Sequence, residues 1–147
     1  MKDEGRLRYL GITTSHGRRH GDFERIMREQ PLDFVQLTYN VADRAVEDRL
    51  LPLAQDKGIA VIVNRPYRRK ELIHRFEGRK LPAWAGDIGA ESWAQVLLKY
   101  VISHPAVTCA IPATTQVAHV RENLSAAREP LPDAKMRARM AADLKAL

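Results

Sequence analysis

Apolar and polar residues follow one another along this chain as short extended runs and longer helical runs in regular succession. "RYLGITT" (8–14) is a brief β-type run that stops at "SHGRRHGD", where glycines and histidines make a loop. "DFERIMREQ" (22–30) then sets Phe23, Ile26 and Met27 at helical spacing and ends before Pro31. The same events recur. "LDFVQLTYN" (32–40) predicts a strand, and "AVEDRLLPLAQDKG" (45–58) a helix with Pro52 inside it and Gly58 as its stop. "IAVIVNRP" (59–66) is the most strand-like run, apolar on both faces from Ile59 to Val63 as a buried parallel strand should be. An irregular stretch follows, from Tyr67 to Gly89. "ESWAQVLLKYVISHP" (91–105) predicts a helix with Trp93, Val96, Leu97, Tyr100 and Val101 on one side, "AVTCAIPA" (106–113) a fourth strand, and "VAHVRENLSAA" (117–127) the next helix. A last amphipathic segment, 133–147, has Asp133 as its candidate cap.

Four βα units in a row plus one extra helix argue for an α/β fold with a parallel sheet and right-handed crossovers. Two architectures fit: an open doubly wound sheet, or part of a (βα)8 barrel. The first strand-to-helix loop holds "GRRHG" but lacks the G-x-G-x-x-G spacing that brings backbone close to a pyrophosphate. That weakens the first. A complete barrel takes ~250 residues, so 147 residues suit half of one, expected to form a single domain over 1–147.

Composition adds bounds. With 45% hydrophobic and 29% charged residues the chain should fold as a soluble globular protein. No apolar run reaches bilayer-spanning length, and the opening "MKDEGRLRYL" lacks a signal-type apolar centre, so no membrane partner is expected. One cysteine, Cys109, excludes an internal disulfide framework and suits a cytoplasmic setting. The formal charge of +6, carried mostly by 17 arginines, favours anionic partners.

Taken together, "EGRLRYLGITT", "DFVQLTYN", "LLPLAQDKGIAVIVNRP", "SWAQVLLKYVISHPAVTCAIPATT" and "HVRENLSAA" resemble the C-terminal half of an aldo/keto reductase, over nearly the whole chain. The resemblance implies half of a TIM barrel and a carbonyl oxidoreductase that uses NADP(H), or alternatively NAD(H). The family's catalytic tyrosine, lysine, aspartate and histidine lie on its first four units, so no catalytic residue is assigned here. This half, read alone, is expected to bind a nicotinamide dinucleotide without turnover. It also implies contacts. Thr13 and Thr14 stand where the family's Ser-Asn pair meets the nicotinamide carboxamide, and Gln36 matches its sixth-strand glutamine. Asn64 occupies the place of an aromatic that stacks on nicotinamide, a role Tyr67 is a candidate to take over. Arg65, Arg68 and Arg69 are placed to neutralise the pyrophosphate. Thr114, Thr115, His119 and Asn123 fall where the 2′-phosphate and adenine are held, at a helix N-terminus whose N–H groups suit an anion.

Plainer readings stand beside these. Thr114 and Thr115 also fit simple N-capping, and Gln36 a satisfied core polar group. Val117, Val120 and Leu124 should line the buried side of their helix, with His119 and Asn123 together on another. His16, His20, Arg18 and Arg19 read as a solvated loop, with two histidines too few for a metal site. Trp84 and Trp93 read as packing residues, and Cys109 as an inert buried thiol. Half a barrel has two open edges, so the chain is expected to self-associate as a homo-oligomer or to meet a missing N-terminal half. A self-associating module without redox activity is the alternative. A nucleic-acid binder built on Arg65 to Lys80 lacks recognition spacing, and no nucleic-acid partner is expected.

Overall fold

The computed structural model describes residues 1–2, 4–15 and 17–146. Its sheet contains β1 (Gly11–Thr13), β2 (Phe34–Thr38), β3 (Ala60–Asn64) and β4 (Cys109–Ala110), parallel throughout and ordered β1-β2-β3-β4. The helices are α1 (His20–Glu29), α2 (Leu50–Asp56), α3 (Glu71–Phe76), α4 (Trp93–Ile102), α5 (Val117–Ser125) and α6 (Ala134–Ala146), with 3-10 turns at Ala45–Glu47 and Ala83–Ile88. A doubly wound sheet reverses its strand order at a switch point. This one runs in a single direction, so the open-sheet alternative fails.

Alternation along each strand separates two faces. Val35, Leu37, Val61 and Val63 are wholly buried in one core cluster with Met27, Leu51, Val96 and Val101 from the helices. Burial of each such side chain stabilises the fold by about 1.5–3 kcal/mol. The opposite face carries Thr13, Gln36, Ile62 and Cys109 in register and stays half-exposed or exposed. Position 11 falls on that face too, and it is glycine because a Cβ there would sit 2.8 Å from the Phe34 carbonyl oxygen.

Several elements are shorter than periodicity predicts. β1 and β4 each pair with one strand only, so the extended residues flanking them complete few ladder bonds. The segment 45–58 divides into a 3-10 turn and α2, where Gly58 ends the helix at φ +66. Within the irregular stretch, α3 and the second 3-10 turn form because Leu72, Phe76, Trp84 and Ile88 bury themselves in the core. Trp84 Nε1 donates to Asp143 Oδ2 at 2.7 Å, and Trp93 stacks on Phe76 with ring centres 4.6 Å apart. Asp133 does cap α6, accepting from Met136 N at 2.7 Å.

Two sequence expectations fail for one reason. α5 buries no residue, and Val117 (69% exposed), Val120 (44%) and Leu124 (69%) face outward. Its docking contacts are polar: Glu122 accepts from Ser92 Oγ, Ser125 Oγ accepts from Gln95 Nε2 at 2.8 Å, and Asn123 meets Tyr67. Cys109, read as buried, is exposed on β4. Both lie at the β4 edge, where none of the described residues covers the apolar stripe.

Behind the sheet the packing is closed by a buried polar cluster. Glu47 Oε1 accepts from the Tyr39 hydroxyl, from the Tyr100 hydroxyl at 3.0 Å and from Arg137 Nη2 at 3.3 Å, while Oε2 accepts from Arg44 at 2.7 and 2.9 Å. Arg137 also donates to the Tyr100 carbonyl and to the Tyr39 hydroxyl. One carboxylate thus joins the end of β2, α4 and α6. Burial works to raise the Glu47 pKa, but the hydrogen bonds from Arg44, Tyr39 and Tyr100 outweigh it and hold the carboxyl below its ordinary value. Lys99, 1% exposed on α4, donates to the carbonyls of Arg128 at 2.6 Å and Pro130 at 3.0 Å. It ties down the connection between α5 and α6.

Candidate functional site

The C-terminal ends of the strands gather four of the residues singled out from sequence. Gln36 Nε2 donates to Thr13 Oγ1 at 3.1 Å, because the register sets the two side by side on the open face. The Thr14 N–H donates to the Gln36 carbonyl at 2.8 Å. Asn64 is buried at the end of β3, where its Oδ1 accepts from Thr38 Oγ1 at 2.7 Å and its Nδ2 donates to the Thr14 carbonyl at 2.9 Å. An amide therefore clasps β1, β2 and β3 together at this end. Above it the Thr13 hydroxyl and the Gln36 carboxamide face the open side. Thr38 escaped the sequence reading, although its place two residues after Gln36 on one strand puts both on the same face.

Tyr67 is committed in another direction. Its ring packs against the core and its hydroxyl donates to Asn123 Oδ1 at 2.6 Å, also lying 3.3 Å from the Ala94 carbonyl. Burial raises the pKa of this phenol, and the negative charge of Glu122 adds to the rise. The tyrosine thus stays protonated and its hydroxyl remains a donor. Glu122 is a second residue the sequence reading passed over; its only sequence signal was its position beside Asn123.

The joint before α5 departs from simple capping. Gln116 occupies the cap position and gives no side-chain cap bond. Thr114 Oγ1 instead accepts from the Gln116 N–H at 3.1 Å and lies 3.3 Å from His119 Nδ1. Thr115 and His119 are exposed, and Asn123, one turn beyond His119, is half-buried against Tyr67. The amide groups of the first turn of α5 are left for water or an anion.

The loop after β3 carries the remaining candidates. Arg65, Arg68, Arg69 and Lys70 all adopt left-handed backbone, with φ of 51, 49, 56 and 72. Arg19, before α1, does the same at φ 64. Side chains with a Cβ reach this region at a cost of roughly 1–2 kcal/mol each. Among the described residues these five are the non-glycine positions with positive φ. Arg65, Arg68 and Arg69 turn toward the loops after β1 and β2, where they line a cleft of about 550 Å³ with Arg18, Arg44 and Thr38. His16 lies outside the described residues, and His20 forms the first residue of α1 at the cleft rim.

Known proteins with similar sequences and folds place this arrangement. The family model described as "Aldo/keto reductase family" matches residues 1–69 and 74–143. The chain is 36% identical over 69 residues, 45% of its length and 19% of the relative's, to an NADH-specific methylglyoxal reductase of Escherichia coli. It is 31% identical over 127 residues, 86% of its length and 39% of the relative's, to an uncharacterized oxidoreductase of Schizosaccharomyces pombe. Among solved structures, an aldo/keto reductase of Klebsiella pneumoniae in complex with NADP and acetate superposes with a TM-score of 0.74 at 23% identity, over 97% of this chain and 50% of that one. The chain thus spans half or less of the length of each of these proteins. Its one-directional parallel sheet, with helices on one face and the strand ends clasped by Asn64, is the corresponding half of that barrel fold, and the chain belongs to the aldo/keto reductase family.

Proposed function

We propose that this chain is the dinucleotide-holding half of a nicotinamide-dependent carbonyl oxidoreductase. The observation that carries the reading is the pair Thr13 Oγ1 and Gln36 Nε2, 3.1 Å apart on the uncovered face at the C-terminal ends of parallel strands. A hydroxyl and a carboxamide side by side offer both donors and acceptors, which suits a nicotinamide carboxamide. The uncapped first turn of α5, with Thr114, Thr115 and His119, supplies N–H groups and hydroxyls for a phosphate at the far end of an extended dinucleotide.

The residues fit a dinucleotide in part. Asn64 is spent on the strand ends and gives no aromatic platform, and Asn123 is engaged by Tyr67, so an adenine at that helix must compete with the tyrosine or use it. The Klebsiella relative was solved with NADP, and the E. coli relative is NADH-specific. Ala113 and His119 supply little fixed positive charge beside the helix. We therefore read the cofactor as NADP(H) or alternatively NAD(H), with no strong selection for the 2′-phosphate. When bound, the nicotinamide supplies or takes up the hydride of a carbonyl/alcohol interconversion. This chain's residues hold and orient the ring; the proton donor comes from a complementary half-barrel, on the same polypeptide or a partner, and without it the chain binds but does not turn over.

The apolar side chains at the two sheet edges favour such a completion. Tyr9 and Leu10 beside β1, and Ile111, Val117, Val120 and Leu124 beyond β4, are all at least 41% exposed. A second copy covering these edges would give a homodimer, the arrangement expected if the chain acts as a self-associating module instead. The core cluster running from Phe23 to Leu144 supports one domain, and the single exposed Cys109 suits a cytoplasmic setting.

Fluorescence titration with NADPH and NADH tests the reading. Saturable binding that weakens in Gln36→Ala and Thr13→Val supports it; no binding up to millimolar dinucleotide rejects it. Light scattering separates completion by a second copy from a lone half: a stable monomer at high concentration rules out the homodimer.

A further inference from the structure

A second cleft, of about 460 Å³, opens between the end of α4 and the start of α6, and His104 lines it, half-buried, on the connection from α4 to β4. The imidazole has a fixed task. Its Nδ1 accepts from the Ala106 N–H at 3.1 Å, so the neutral ring carries its proton on Nε2. The backbone folds around the same residue: the His104 N–H donates to the Val101 carbonyl at 3.3 Å, and the His104 carbonyl accepts from the Val107 N–H at 2.9 Å, closing a turn through Pro105. One residue later the chain is pinned to β3. The Thr108 N–H donates to the Val61 carbonyl at 2.9 Å, and Thr108 Oγ1 accepts from the Val61 N–H at 3.0 Å. β4 itself has two residues and pairs with β3 alone, so this edge strand relies on the turn that leads into it.

The groups around the imidazole oppose a second proton. The Tyr39 ring, just past β2, meets it edge-on with ring centres 5.7 Å apart. From α6, Arg137 donates to Ser103 Oγ at 3.2 Å, which sets a guanidinium beside the residue before His104. Arg44, Glu47, Tyr100 and Asp133 line the same cleft. The two carboxylates are already engaged: Glu47 is shared by Arg44, Arg137 and two tyrosine hydroxyls, and Asp133 accepts from the Met136 N–H. Burial, and then the charge of Arg137, hold the imidazole below its ordinary value of 6.5, against the pull of Glu47. A proton added at Nδ1 turns an acceptor into a donor aimed at another donor, the Ala106 N–H.

We propose that His104 is a proton-operated latch on the β4 edge: neutral, it holds the turn 104–107 and the strand after it in place, and protonated, it releases both. The latch has a pH window of its own. Its contribution is complete above 6.5 and is lost as pH falls through the lower folded value, whereas that of Glu47 is lost only below 4.5. The edge it governs is the unpaired side of β4, so any strand added there is held less firmly in mild acid. None of this depends on the dinucleotide reading.

Amide hydrogen exchange of the 147-residue chain, followed residue by residue between about pH 7.5 and 5 alongside the ring shifts of His104, tests the latch. On acidification the parent chain should lose protection at Ala106 and Thr108 by about fivefold or more, the worth of one ordinary hydrogen bond, while Val35 and Leu37 keep theirs. His104→Asn decides the cause. Its side-chain oxygen reaches the N–H two residues on in the same way and does not titrate, so protection at both amides should stay flat across the range. His104→Phe removes the acceptor at every pH and should show the low protection throughout. The latch is overturned if His104→Asn loses protection on acidification as the parent does, if the His104 ring titrates with no change at Ala106 or Thr108, or if the ring takes up its proton above 6.5. Should His104→Phe not fold, the comparison of the parent with His104→Asn alone carries the test.

Discussion

The two faces of the sheet have been finished to different degrees. Behind it, Val35, Leu37, Val61 and Val63 are sealed by helices, and even the charged groups there, Glu47, Arg137 and Lys99, find partners within the chain. In front, Thr13, Gln36, Ile62 and Cys109 stand half-exposed or exposed, the edge apolar residues face outward, and arginines outnumber carboxylates around the cleft at the strand ends. The difference teaches where stability and where binding reside. A closed polar cluster fixes the helices on the sheet, and the face left open is the one with groups to spare for a ligand or a second half-barrel.

The sharpest way to break this comparison is at Glu47. Glu47→Gln leaves Arg137 and Arg44 without their carboxylate and should cost about 2–4 kcal/mol by urea denaturation, with nucleotide binding unchanged. The sign of its pH dependence follows from the lowered carboxyl. Its contribution is complete above the ordinary glutamate value of 4.5 and is lost as pH falls through the lower folded value. The parent chain should therefore lose more stability on acidification than Glu47→Gln does. Lys99→Met comes next. It strips two carbonyls of their donor at a cost of roughly 1–3 kcal/mol, and a faster-exchanging connection between α5 and α6 in hydrogen exchange would identify the place.

Asn64→Ala sharpens the boundary between the faces. The amide belongs to both the scaffold and the candidate site, so its loss should cost about 1–2 kcal/mol and also weaken dinucleotide binding by loosening Thr14. A change in stability with binding intact would make it scaffold alone. Smallest is the double change Val117→Ser and Leu124→Ser, expected within about 0.5 kcal/mol of the parent in the monomer because both are exposed. The same variant should shift a self-association equilibrium measured by light scattering; a large destabilisation of the monomer would mean that the α5 stripe is buried after all.

Much of this was readable from residue order. The apolar run of β3, the β2 alternation and the caps and stops of the helices follow from local periodicity, which needs no partner to be seen. The candidate site was legible where two strand positions share a face, as Thr13 and Gln36 do. It was not legible where a side chain's direction depends on what lies across from it. Tyr67 reads as a ring for the open face but turns to Asn123, fifty-six residues on; Glu47, with no motif around it, becomes the centre of the buried cluster.

α5 shows the division most clearly. Its apolar stripe at Val117, Val120 and Leu124 is an amphipathic signal, and a stripe implies a partner without saying whose. By itself the sequence determined four parallel βα units, their order and the family they belong to, because hydrophobic spacing and turn chemistry are local properties of the chain. Only the tertiary structure decided which stripes are covered, which carboxylate joins three elements, and that arginines from the loops after β1, β2 and β3 line one cleft. Those depend on distances between segments far apart in sequence, and the folded backbone alone sets them.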